Sequence, residues 1–244
     1  MTELVTMSLD RRIAEVTLRR PEKLNAMSRL LMKSLAAIIA NISNDCSLRC
    51  VVITGAGSAF SAGADIAELR KLTPGNAEQF IRLLHTACQA IRNCPVPVIA
   101  KIDGPCLGGA LELAASCDMR AASERSTFAM PEVQIGIPSV IEAALLPRLM
   151  GWGRASELLY TGRTLTAKEA LSFGILEKVV SPEDLDHAIA GWTDAISSAG
   201  PKAIRAQKSL MRRWEQLMID DAIEAGVAYF QEACTNDEPQ IALK

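Results

Sequence analysis

Histidine is scarce in this chain of 244 residues: only His85 and His187 are present. Each falls in an amphipathic helical stretch and neither lies in a nucleophile motif, which leaves serine–histidine and cysteine–histidine catalysis little to work with. The seven cysteines are Cys46, Cys50, Cys88, Cys94, Cys106, Cys117 and Cys234, an odd set with no C-x-x-C pair and histidines at zinc-ligand spacing. Several sit in apolar runs and read as reduced, buried thiols, so neither a metal site nor a disulfide framework is expected. No large charge of either sign is present: 26 basic and 28 acidic residues give a formal −2, and neither nucleic acid nor an anionic membrane is an expected partner. No apolar run approaches membrane length, and residues 1–10 lack a basic segment followed by an apolar one, so the expected address is cytoplasmic.

What the chain does have is hydrophobic content, 49%, ample for one large core with at most a small appendage. Leu4–Leu9 and Ile13–Leu18 alternate as a hairpin, and Ser28 caps a helix to about Ser43. Cys50–Thr54 reads as a buried strand, a helix starts at Thr73-Pro74 and runs to about Asn93, and Val98–Ile102 is the next strand. A strand at Cys117–Ala122 follows, then a short extended piece, Thr127–Met130, leading into Pro131-Glu132. Ser139-x-x-Glu142 has the signature of a capping box for a helix over Ala143–Leu149, with a substrate-facing third carboxylate as the less favoured reading of Glu142. Thr166 caps a helix to Phe173, Glu177–Val180 is a late strand, and helix alone follows Pro182. Alternation of strand and helix followed by helices alone predicts an α/β body with a helical C-terminal part. Leu210, Met211, Trp214, Leu217, Met218, Ile219 and Phe230 give that part more apolar surface than it can bury by itself, so it should pack on the body or on another subunit.

The most informative stretch is Gly104-Pro-Cys-Leu-Gly-Gly-Ala-Leu-Glu-Leu113, read with Met130-Pro131-Glu132. Paired glycines open an apolar helix, where first-turn amides lack intrahelical acceptors and can face developing negative charge. Gly109 N–H is the first candidate donor. Glu112, one turn on, can share its face and is the only charge in an otherwise apolar helix. The bland alternative is a carboxylate tied to an arginine or reaching solvent. The loop Gly55–Ile66 is crowded with small residues, which serve tight turns, bare the backbone to a ligand, or both.

Taken together, Arg20-Pro21 with Leu24-Asn25-Ala26, Phe60-Ser-Ala-Gly-Ala-Asp-Ile66, Gly104–Leu113, Cys117-Asp118 and Pro131-Glu132 resemble, in order and nearly end to end, the crotonase (enoyl-CoA hydratase/isomerase) superfamily. The resemblance implies a spiral of ββα repeats over 1–195, a helical oligomerisation region over 196–244, and a homotrimer or dimer of trimers. It implies an acyl-CoA substrate with no separate cofactor, since coenzyme A arrives as part of that substrate. It also implies an oxyanion hole from the amides of Ala64 and Gly109, with Glu112 and Glu132 at the two glutamate positions of the hydratases. Hydration of an enoyl thioester needs a base for water and a proton for C2, and two carboxylates supply both. The expected roles are Glu112 for the water and Glu132 for C2, with apolar surroundings raising a carboxylate pKa. Carried over by position, the CoA subsite comprises Lys23, Leu24, Ala62, Asp65, Ile66 and Ala67; a lone exposed lysine such as Lys23 can equally be only solvated.

This chain departs from the family pattern at Ala67, where many hydratases carry lysine, and at Ser139-Val140-Ile141-Glu142, where many carry a glycine-rich run. The Ser139 amide is the candidate for holding the catalytic water. Lys244 comes before the basic tail that in many relatives reaches CoA. Competing readings are a double-bond isomerase working through Glu132 alone, and a hydrolase or lyase on the same scaffold. More remote are a catalytically dead assembly subunit and an RNA binder, for which the helix Ser28–Ser43 offers only Arg29 and Lys33.

Overall fold

The structure is a computed structural model and describes residues 3–243. In chain order, β1 (Val5–Asp10) and β2 (Ile13–Leu18) form the hairpin, followed by α1 (Arg29–Ile42), β3 (Cys50–Gly55), α2 (Ile66–Leu69) and α3 (Ala77–Asn93). Next come β4 (Val98–Ile102), β5 (Pro105–Leu107), α4 (Gly109–Ala115), β6 (Met119–Ser123) and β7 (Thr127–Ala129). Two 3-10 segments, Pro131–Ile135 and Ile141–Leu145, lead to α5 (Leu146–Met150), α6 (Trp152–Thr161), β8 (Leu165–Thr166), α7 (Ala167–Phe173) and β9 (Lys178–Val180). The chain continues through α8 (Leu185–Ser198), α9 (Pro201–Trp214), α10 (Ile219–Ala233) and α11 (Glu238–Ala242).

The larger sheet runs β1-β2-β3-β4-β6-β9, with β1 antiparallel to β2 and every other pair parallel. Its inner strands are buried on both faces, which explains their continuous apolar runs. The two-residue period of a strand divides them between two layers. Val51, Ile53, Val98 and Ala100 join the main core with α1 and α3, while Cys50, Val52 and Ile99 meet Leu185 and Ile189 of α8 on the other side. Leu31, Leu35 and Ile39 of α1 recur every fourth residue, as do Phe80, Leu84 and Cys88 of α3, so each helix turns one apolar stripe inward. Each such side chain stabilises the fold by roughly 1.5–3 kcal/mol. Ser28 caps α1 as expected, its hydroxyl oxygen accepting from Leu31 N at 3.3 Å.

A smaller sheet, β5-β7-β8, runs alongside. Successive turns of chain therefore visit the large sheet, then the small one, then a helix: β3, the Ser61 bridge to Cys106, and α2–α3; β4, β5 and α4; β6, β7 and the first 3-10 segment. Register sets Ser61 beside Cys106 and Cys106 beside Phe128. Three residues beyond these stand Ala64, Gly109 and Pro131, so the three turns leave the small sheet at one end.

Four sequence expectations change. Asn76, not Thr73, occupies the N-cap position of α3, and Pro74 lies in the preceding turn. The capping box Ser139/Glu142 does not form: the Ser139 hydroxyl donates to Glu132, and Val140 stands at the N-cap of the 3-10 segment without a side-chain cap. The helix expected over Ala143–Leu149 is split between that 3-10 turn and α5, whose first turn contains Pro147. β5 and β8 went unpredicted; each is only two or three residues long.

Candidate active site

The end of the small sheet opens into a cavity of about 420 Å³ lined by Ala62, Gly63, Ala64, Gly109, Glu112 and Glu132, with Leu69, Leu72, Phe80, Ile81, Leu84 and Val140 forming apolar wall. Two backbone loops meet there. Gly63 has φ +83°, and a β-carbon on it would lie 2.4 Å from the Leu107 carbonyl oxygen and 3.4 Å from Gly109 N. Only glycine permits so close an approach. Met27 N donates to Gly63 O at 2.7 Å and Asp65 N to Met27 O at 3.2 Å, a pairing that passes over the Ala64 amide. Gly109 begins α4. Among the described residues neither the Ala64 nor the Gly109 amide has an acceptor, so both are available to an oxygen in the cavity.

Every residue of α4 is buried, Glu112 included, at 3% exposure. No arginine pairs with it, which removes the bland alternative. Its Oε1 accepts from Ala143 N at 3.0 Å. Burial pushes its carboxyl up to about 8; the Ala143 amide pulls the other way, and the charges of Glu132 and Glu142 add to the rise. Glu132 arrives from the next turn of the spiral, its Oε2 accepting from the Ser139 hydroxyl at 2.9 Å. Gly108, at φ +54°, leaves room for it: a β-carbon there would stand 2.5 Å from Glu132 Oε1. The two carboxylates, twenty positions apart, thus line one cavity beside two unused amides.

The remaining candidates divide. Ala62, Ile66 and Ser139 line the cavity. Lys23 and Leu24 are exposed just outside it, linked to the wall by Ala62 N donating to Leu24 O at 2.8 Å. Asp65 is committed to structure: it pairs with Arg20 and caps α2 by accepting from Ala67 N at 2.8 Å. Ala67 is exposed and lies outside the cavity lining. Sequence reasoning missed the environment of Glu142, whose carboxylate is 5% exposed and turned toward α3. It lies outside the cavity lining, so it neither caps a helix nor faces substrate. No local signal marks it, because its partners His85 and Gln89 are more than fifty residues away.

A spiral of ββα turns with paired amides and carboxylates at one end, followed by C-terminal helices, defines a crotonase-like fold. A sequence model of the enoyl-CoA hydratase/isomerase family matches residues 9–243, and the chain belongs to that family. It is 34% identical over 241 residues to the short-chain-enoyl-CoA hydratase of Clostridium acetobutylicum, covering 98% of this chain and 92% of the relative. It is 34% identical over 223 residues to the crotonyl-CoA hydratase of Syntrophomonas wolfei, covering 91% and 86%. The crystal structure of an enoyl-CoA hydratase from Bacillus anthracis superposes with a TM-score of 0.95 at 29% identity, covering 99% of this chain and 95% of that one. One from Thermoplasma volcanium gives 0.92 at 33% identity, covering 99% and 96%.

Proposed function

We propose that the protein is an enoyl-CoA hydratase, adding water reversibly across the 2,3 double bond of an enoyl thioester, with Glu112 and Glu132 as the acid–base pair. The observation that carries this is the convergence of both carboxylates on one cavity beside two acceptor-less amides. In hydration, Glu112 takes a proton from water as the oxygen bonds to C3, and Glu132 gives its proton to C2. Negative charge that develops meanwhile on the thioester oxygen is held by the Ala64 and Gly109 amides, each such donor worth on the order of 3 kcal/mol. The Ser139 amide helps to seat the water, while its hydroxyl orients Glu132.

Hydration ends with Glu112 protonated and Glu132 ionised, and dehydration begins there. A carboxyl raised to about 8 by burial favours the protonated form of Glu112 in the free protein at neutral pH. The proton must return from Glu112 to Glu132, directly or through water, before the next hydration.

Lys23, Leu24, Ala62, Ile66 and Ala67 form the near edge of the CoA subsite in this reading, with Asp65 shaping it through α2. The exposed face of Met211, Trp214, Met218, Ile219, Ile223 and Phe230 suits burial against further copies, in keeping with a homotrimer or dimer of trimers built on residues 196–244. Seven cysteines without disulfides suit a reducing, cytoplasmic compartment. No helix among the described residues is long and apolar enough to cross a membrane. An RNA-binding role finds little support, because Arg29 is held by Glu68 and lies over the Phe80 ring.

Loss of the conjugated thioester absorbance on crotonyl-CoA, and on longer and branched enoyl-CoA substrates, tests the reading. Glu112→Gln should abolish hydration. A double-bond isomerase working through Glu132 alone would keep substantial turnover in that variant.

A further inference from the structure

Both carboxylates of the site are held by one short segment. The Ser139 hydroxyl donates to Glu132 Oε2 at 2.9 Å, and four residues on the Ala143 amide donates to Glu112 Oε1 at 3.0 Å. Between them Ile141 has φ +44°, a left-handed conformation that is costly for a β-branched residue. Such a backbone persists only where its surroundings over-determine it.

The restraint is next door. Glu142 turns away from the cavity, and its Oε1 meets His85 Nδ1 at 2.8 Å and Gln89 Nε2 at 2.9 Å, one helical turn apart on α3. α3 is in turn fixed to the core by Phe80, Leu84, Cys88 and Ile91. Two bonds to one oxygen of a buried carboxylate therefore tie the strained turn to a rigid element. The other oxygen, Oε2, is buried and has no partner among the described residues. An unpaired buried acceptor is a cost that a side chain needed only for packing would not carry. A hollow of about 330 Å³ lined by Glu78, Ile81, Arg82, His85, Ile141 and Glu142 backs onto the substrate cavity across Ile81. His85, 42% exposed, forms its outer rim.

We propose that Glu142, anchored by His85 and Gln89, is a positioning residue that holds the Ser139–Ala143 turn in the conformation from which the two acid–base carboxylates are aimed. The proposal rests on the reading of Glu112 and Glu132 as that pair. Glu142 touches no substrate atom; it acts through Ser139 and Ala143. Glutamine at 142 retains an oxygen able to accept both bonds, given the Nδ1–H tautomer of His85, whereas alanine retains none.

The test compares Glu142→Ala with Glu142→Gln in the full-length protein, by steady-state hydration of crotonyl-CoA and by hydrogen exchange of the 140–144 amides. Loss of aim acts on the chemical step, so kcat of E142A should fall by about 10- to 100-fold with KM within about twofold. E142Q should recover to within about threefold of the parent protein. The 140–144 amides should exchange about tenfold faster in E142A and unchanged in E142Q. Parent-like kcat and exchange in E142A would overturn the proposal, as would E142Q proving as impaired as E142A. Should E142A not fold, His85→Ala removes one of the two bonds at a half-exposed site and takes its place, with the same outcomes. Exchange is read without turnover, so an absence of hydration in the parent protein counts against the hydratase reading, and unchanged exchange counts against this one.

Discussion

Raising the pH through 8 should switch this enzyme off in both directions together. Glu112 is the group concerned: burial lifts its carboxyl from 4.5 to about 8, against the pull of the Ala143 amide and with help from the neighbouring carboxylates. In the proposed mechanism hydration begins with one proton on Glu132 and dehydration with one on Glu112, so each direction needs one proton between the two carboxyls, and loss of the Glu112 proton disables both. The equilibrium between enoyl and hydroxyacyl thioester exchanges no net proton with solvent. The ratio of kcat/KM for the two directions is therefore independent of pH, and the alkaline limbs must coincide. At pH 9 each kcat/KM should be about one-tenth of its plateau value. Crotonyl-CoA hydration and 3-hydroxybutyryl-CoA dehydration, followed through the conjugated thioester band from pH 6 to 9.5, supply the assay. The same proton has a stability signature. Because the folded-state pKa lies above the unfolded one, the contribution of Glu112 is complete below about pH 4.5 and is lost as pH rises to about 8. Glu112→Gln carries no such loss, so between pH 5 and 9 the variant should gain on the parent by on the order of 4 kcal/mol in urea unfolding. A kcat/KM that keeps rising through pH 8, or a parallel pH dependence of stability in parent and E112Q, would refute the reasoning.

Three further outcomes follow from the same geometry. Gly108→Ala places a β-carbon 2.5 Å from Glu132 Oε1 at a positive φ, and kcat/KM for hydration should drop by about two orders of magnitude while circular dichroism stays native. Lys208, 6% exposed on α9, donates to Asp118 at 2.7 Å and to the Val96 carbonyl at 2.8 Å. Lys208→Ala leaves the Val96 carbonyl without that donor, while Asp118 is exposed and still accepts from Val98 N, so it should cost about 1–3 kcal/mol in denaturant unfolding. Thr166 and Glu169 form a reciprocal capping box on α7, outside the cavity lining, and Thr166→Ala should lower stability by about 1 kcal/mol with hydration kinetics unchanged.

How much of this was legible in the sequence varied with the range of the interaction. α1, α3 and the inner strands declared themselves because apolar spacing reports which face is buried, and Gly108-Gly109 followed by Glu112 announced a helix start with a lone carboxylate. Ser139 and Glu142 show where local reading stops. The pattern Ser-x-x-Glu fits a capping box, but the Ser139 hydroxyl has a better acceptor in Glu132, seven residues back, and Glu142 has His85 and Gln89 on a helix more than fifty residues earlier. A motif states what two residues could do for each other; it cannot weigh partners that the fold brings in from elsewhere. The rise in the Glu112 pKa was foreseeable from its Ala/Leu neighbours, whereas the Ala143 amide that opposes it was not.

The pairing of Ala64 with Gly109 lies beyond any local motif for a further reason. The two residues are forty-five positions apart and neither contributes a functional side chain, so composition alone cannot single them out. What joins them is register. Ser61 bridges Cys106, and Cys106 pairs with Phe128, so three turns of the spiral leave the small sheet in step. Three residues beyond the paired positions the first two turns each deliver an amide, and one residue further along the third turn delivers Glu132 to the same opening. A one-residue insertion between Ser61 and Ala64 should therefore abolish hydration with the large sheet intact: it rotates the Ala64 amide out of the opening and leaves β3 paired. The same insertion in the exposed Asn44–Ser47 turn, far from this register, should leave kcat within about twofold.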